Sequence, residues 1–105
     1  MTESSEDERA FFARADAFLQ MANEQCSAAE RPHVSASFLF ALTRFHAFEA
    51  ARTCKTSEEL TGERDSAVQW FLGRYQAMLE QNLDDYIQNF ATYMQDQAGE
   101  GGSGS

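Results

Sequence analysis

His46 and Glu49 stand three residues apart. On a helix, that spacing puts an imidazole and a carboxylate on one face, the arrangement that di-iron carboxylate bundles use as Glu-x-x-His with further glutamates from facing helices. Here the order is reversed and a second such pair is missing. Glu24 and Glu80 could in principle approach, but without two bridging Glu-x-x-His pairs His46 reads as a half-buried helix residue with one hydrogen bond beside Phe45 and Phe48, and no metal ligand is assigned. Cys26 and Cys54 are the two thiols of the chain. A nucleophilic cysteine needs a basic or helix-N-terminal setting that lowers its pKa, and neither position supplies one. Both fall near helix C-terminal ends, at opposite poles of an antiparallel pair, so they read as reduced, small buried hydrophobes and not as a bridge. His33 follows Pro32 in an interhelical link with no nucleophile near it, where a solvent-facing or capping role is expected. Arg44 and Arg52 could grip a carboxylate or phosphate, but ion pairs with Glu63 or Asp65 account for them. No catalytic residue, cofactor or metal site is assigned, and the chain reads as non-enzymatic.

The elements that carry these residues are helical throughout. Ser5 followed by Glu8 has the form of a capping box, with Glu6 and Asp7 in the first turn where the helix dipole favours them. A first helix over about 5–30 follows, with an apolar face of Phe11, Ala15, Phe18, Ala22, Cys26 and Ala29. Pro32 disfavours helix at Arg31 and ends it. Ser35 or Ser37 caps a second helix over about 35–54, with Phe38, Ala41, Leu42, Phe45, Phe48 and Ala51 at spacings of three and four. The short link makes these two an antiparallel helical hairpin. Thr56 and Glu59 form a second capping box and open a third helix over about 57–97, within which Gly73 could allow a close helix approach.

That third helix poses the main question of the chain. Its stripe runs through Leu60, Ala67, Phe71, Tyr75, Met78, Asn82, Tyr86, Phe90 and Tyr93. A straight helix of this extent is about 60 Å long, against about 36 Å for a 24-residue neighbour, so the surplus stripe needs another cover. Two readings stay open at Asn82-Leu83-Asp84-Asp85. Asn82 could cap a fourth helix that folds back, or the helix could continue through it, and the unbroken phase of the stripe favours continuity. Phe45 and Phe71 are expected at the centres of their stripes, hence in the core. Asn82 is the polar exception in the seam, where a buried asparagine can fix register between paired helices.

The chain has 105 residues, one domain by length, and nine Phe, three Tyr and one Trp argue for a packed body. That body is expected over 1–97, with a flexible Gly/Ser-rich tail over 98–105. The net charge is -9 and unevenly spread: Arg31, Arg44, Arg52 and Lys55 face only Glu49 in the middle segment, while both flanks are acidic. A basic element inside an acidic domain complements its neighbours more simply than it binds nucleic acid, which wants a net basic face. The longest apolar run, Phe38 to Leu42, is far short of a membrane span, and the acidic start is unlike a signal peptide, so no membrane partner and a cytoplasmic location are expected.

The segments Phe11-Phe12-Ala13-Arg14-Ala15-Asp16-Ala17-Phe18, Ala22-Asn23-Glu24-Gln25, Val34-Ser35-Ala36-Ser37-Phe38 and Leu79-Glu80-Gln81-Asn82-Leu83-Asp84-Asp85-Tyr86-Ile87 carry a resemblance. Over about residues 9–94 the chain resembles a family of short bacterial proteins catalogued only as a domain of unknown function. The resemblance implies a small all-helical bacterial protein and brings no catalytic or binding residue with it.

The expected architecture is all-α, a helical hairpin packed on a long C-terminal helix that breaks near Asn82 or runs through it. The expected function is self-association as a homodimer, with a second protein partner possible at an aromatic groove. Asn82, Leu83, Tyr86, Ile87, Phe90, Tyr93 and Met94 form the candidate interface. The alternative is a small-ligand or metal-binding helical bundle in which His46, Glu49 and Arg44 line an interior site.

Overall fold

A single proline, with Gly62 and Gly73 the only glycines before the C-terminal stretch, leaves little to interrupt helical hydrogen bonding. The computed structural model describes the backbone of residues 2–99 and the side chains of residues 6–95, and it is all-α. Among the described residues the elements are α1 (Thr2–Gln25), α2 (Arg31–Ala51), α3 (Ser57–Gln88) and α4 (Phe90–Gly99). None of them is long and apolar enough to cross a membrane. The last residues of the expected tail, from Glu100 on, lie outside the description, whereas Ala98 and Gly99 belong to α4.

The ends of α1 and α2 differ from the sequence expectation, each for a local reason. Ser5 lies inside α1, which starts at Thr2, because nothing in Thr2-Glu3-Ser4 obstructs helical propagation. The helix then stops at Gln25, well short of Pro32. The Cys26 N–H is shared between the Ala22 and Asn23 carbonyls at 3.2 and 3.1 Å, and the Ser27 hydroxyl takes the Glu24 carbonyl at 2.7 Å. These bonds tighten the last turn and end the α-helical ladder. Pro32 sits in the first turn of α2 instead of before it, so Ser35 and Ser37 are interior residues and not caps. A first-turn proline loses nothing, since that N–H has no partner within the helix and its fixed φ already suits one. His33 is thus a first-turn residue, its N–H donated to the Glu30 carbonyl at 3.0 Å.

The start of α3 is close to expectation. Thr56 is extended at φ -138° and ψ 162°, and its hydroxyl accepts the Glu59 N–H at 3.1 Å. Glu59 reaches back to the Lys55 N–H at 2.7 Å, one residue before the position a standard capping box uses. From there α3 continues for 32 residues, straight through Asn82. The Asn82 amide donates to the Met78 carbonyl at 3.0 Å, a bond along its own helix, so no helix folds back there. The interruption comes seven residues later. At Asn89 (φ -116°, ψ 28°) the backbone N–H and the side-chain amide both donate to the Asp85 carbonyl, at 3.0 and 3.1 Å, and the amide also reaches the Asp85 carboxylate at 2.9 Å. The side chain competes for ladder groups, and the helix is broken by one residue before α4 resumes.

The chain divides into two compact units, Met1–Phe40 and Ala41–Gly104, and the division falls inside α2. In the first, Ala15, Ala22 and Cys26 are half-buried and Val34, at 8% exposure, is the one buried residue among those described. Phe11 and Phe18, on the same predicted face as the alanines, are exposed. In the second, the residues withdrawn from solvent are His46, Ala50, Ala51, Cys54, Leu60, Ala67 and Phe71. Phe45, expected in the core, is 64% exposed, Leu42 and Phe48 are exposed with it, and so is Phe38 of the first unit. The reason lies in α2 itself. Phe38, Leu39, Phe40, Leu42, Phe45 and Phe48 make it apolar round its whole circumference, so periodicity singles out no face, and the stack of His46 on Phe71 marks the side that is covered.

Candidate functional site

The expected interface residues occupy the distal part of α3 and the start of α4. Leu83, Tyr86, Ile87 and Phe90 recur at spacings of three and four, which places them on one side of the helix. All are exposed, Ile87 at 71%, while Tyr93 and Met94 are somewhat more covered. The Tyr93 phenol donates to the Asp85 carboxylate at 3.0 Å, and its ring lies 4.5 Å from that of Tyr86. Asp85 therefore accepts from both Asn89 and Tyr93 and ties the two sides of the interruption together. The hydrogen bond to the carboxylate, followed by partial desolvation and the nearby charge of Asp85, raises the Tyr93 pKa above the ordinary tyrosine value of 10.0.

The proximal half of α3 meets the end of α2. The His46 imidazole stacks on Phe71 with ring centroids 4.1 Å apart and planes 13° from parallel. His46 is half-buried as expected, but its contact is a ring face and not a hydrogen bond. Beside this stack a groove of about 410 Å³ is bordered by Glu49 and Thr53 on the α2 side and by Glu63, Ser66, Trp70 and Phe71 on α3. Trp70 stands edge-on to Phe71 at 5.0 Å, and the Arg74 guanidinium lies 4.7 Å from the Trp70 ring centroid.

Several assigned pairings do not form. Asp65 accepts from its neighbour Arg64 at 3.2 Å, with both side chains open to solvent. Arg44 and Arg52 form no ion pair among the described residues, which overturns the expected bridges to Glu63 and Asp65. The adjacent arginine reaches Asp65 without ordering a second element, so it takes the carboxylate. His46 faces Phe71 while Glu49 lines the groove, and Arg44 does not border it, so these three do not line one interior site. No three His, Cys, Asp or Glu side chains come together as a metal site among the described residues. Both thiols are free and half-buried, and Cys54 makes a 3.7 Å contact to the Ala50 carbonyl. From the sequence, Glu63 was expected in an ion pair and the one tryptophan, Trp70, counted only as aromatic content, so the groove they share was missed. The capping box at Thr56, which sets the start of α3 against the end of α2, was the signal that could have joined them.

Helical elements throughout, short connections and aromatic side chains left on the outside define a small all-α protein. The chain belongs to the family described as "Protein of unknown function (DUF3144)", whose profile matches residues 11–87. It is similar to the protein NB7890A from Shewanella sp., whose NMR structure shares 35% sequence identity and a TM-score of 0.69 over 83% of this chain and 93% of that one. No curated protein matches it.

Proposed function

We propose that the protein catalyses no reaction and acts by self-association, its distal α3 and α4 surface pairing with the same surface of a second copy. The observation that carries this reading is the ordered aromatic pair Tyr86 and Tyr93, held by Asp85 amid exposed Leu83, Ile87 and Phe90. Large apolar side chains fixed on an open surface lose little entropy on docking, which suits interface anchors. As one helix of 21 residues, about 32 Å long, α2 is shorter than the 32 residues and about 48 Å of α3, so it cannot run along all of α3. A two-fold pairing covers both copies at once, and an antiparallel arrangement keeps the Asp84 and Asp85 carboxylates of the two chains apart. Two half-buried free thiols suit a reducing, cytoplasmic setting.

Light scattering on the intact protein tests the reading beside the double variant Tyr86→Glu/Phe90→Glu. The wild type should show twice the chain mass of 11.8 kDa at high micromolar concentration, and the variant a folded monomer. A wild-type mass of a single chain, or a variant that stays dimeric, overturns it.

A further inference from the structure

The groove between the end of α2 and the proximal part of α3 is lined by acidic and aromatic side chains and by no basic one. Glu49 borders it from one helix and Glu63 from the other, and neither carboxylate has an ion-pair partner among the described residues. The C-terminal end of α2 adds the negative pole of its dipole, with no basic residue in the last turn to offset it. Trp70 and Phe71 supply aromatic surface, whose ring faces are themselves electron-rich. Arg52 and Lys55 follow α2 in the chain but do not border the groove. That a guanidinium is accepted by this indole is visible within the chain, since Arg74 lies 4.7 Å from the Trp70 ring centroid.

From these features we propose that the groove is a binding site for an organic cation of the guanidinium or alkylammonium class. The two carboxylates attract the charge, and the Trp70 and Phe71 rings take the poorly hydrated carbon and π surface that a bare metal ion lacks. Thr53 and Ser66 offer hydroxyl acceptors for the remaining N–H groups. The groove is largely open to solvent, and its volume of about 410 Å³ leaves room for a small organic cation. The site is independent of self-association, because the distal surface starts at Leu83, twelve residues past Phe71, or about 18 Å along the same helix.

Trp70 is the sole tryptophan, so its fluorescence reports on the groove directly. Agmatine, titrated into the intact protein at constant ionic strength, should give a saturable change with Kd of about 1 mM or tighter, and sodium chloride should not. N-acetylarginine amide, titrated in parallel, presents the same cation on a backbone. Tighter binding of agmatine assigns a free amine as the natural occupant, and tighter binding of the amide assigns an arginine side chain of a polypeptide. The exposed, near-isosteric Glu49→Gln/Glu63→Gln variant should keep its circular dichroism spectrum and weaken either probe by about tenfold or more. No saturable response to either probe, an equal response to sodium chloride, or undiminished binding in a folded double variant each overturns the assignment.

Discussion

Tyr93 is a neutral donor facing a carboxylate, and that pairing fixes the sign of its pH dependence. Ionisation replaces the hydrogen bond to Asp85 with repulsion, so the folded state holds the proton more tightly than an unfolded chain does. Its contribution to stability is fully present below the ordinary tyrosine pKa of 10.0 and is lost as pH rises through the raised value. In an alkaline titration of the phenolate absorbance, one of the three tyrosines should ionise later than the others, and Asp85→Asn should bring it down; an unchanged profile would show that the bond is not formed in solution. The covered and uncovered phenylalanines make a second comparison. Phe71 is half-buried under His46, so Phe71→Ala should cost about 2 kcal/mol in a denaturant melt, less than a fully buried phenylalanine. Phe45→Ala and Glu80→Ala, both at exposed positions, should stay within about 0.5 kcal/mol. A loss at Phe45 equal to that at Phe71 would mean that something outside this arrangement covers Phe45.

At the scale of the elements, α3 is the member that organises the second unit. Its start is fixed by Thr56 and Glu59, its proximal half is pinned to α2 by the His46 and Phe71 stack, and its distal part is continued past Asn89 by the Asp85 contacts. Gly73 lies between these two stretches. A close helix approach there is not what the structure holds, because a Cβ added at Gly73 meets nothing within 4 Å. Gly73→Ala should therefore stabilise the protein by about 1 kcal/mol through helix propensity alone, read as a higher denaturation midpoint. If the substitution instead destabilises the protein or lowers its solution mass, a second copy approaches the helix at that glycine.

For the whole molecule, the open question is what covers the aromatic surface. A dimer that buries the distal α3 and α4 surface links folding to concentration, so the association expected from light scattering also predicts a melting temperature that rises with protein concentration in the wild type and not in Tyr86→Glu/Phe90→Glu. The helical content, the capping of α3 and the passage of the stripe through Asn82 were legible in the sequence, because each depends on residues within four positions of one another. The membership of the chain in an uncharacterised helical family was legible in the same local segments. The ends of α1 and α2 were legible only in part, since the Ser27 hydroxyl and a first-turn proline act through bonds that several registers allow. What the sequence by itself could not settle was which faces are covered. An α2 that is apolar all round gives the same pattern whether Phe45 or His46 turns inward, and only the tertiary contact between His46 and Phe71, which sets Glu49 beside Glu63 and Trp70, decides it.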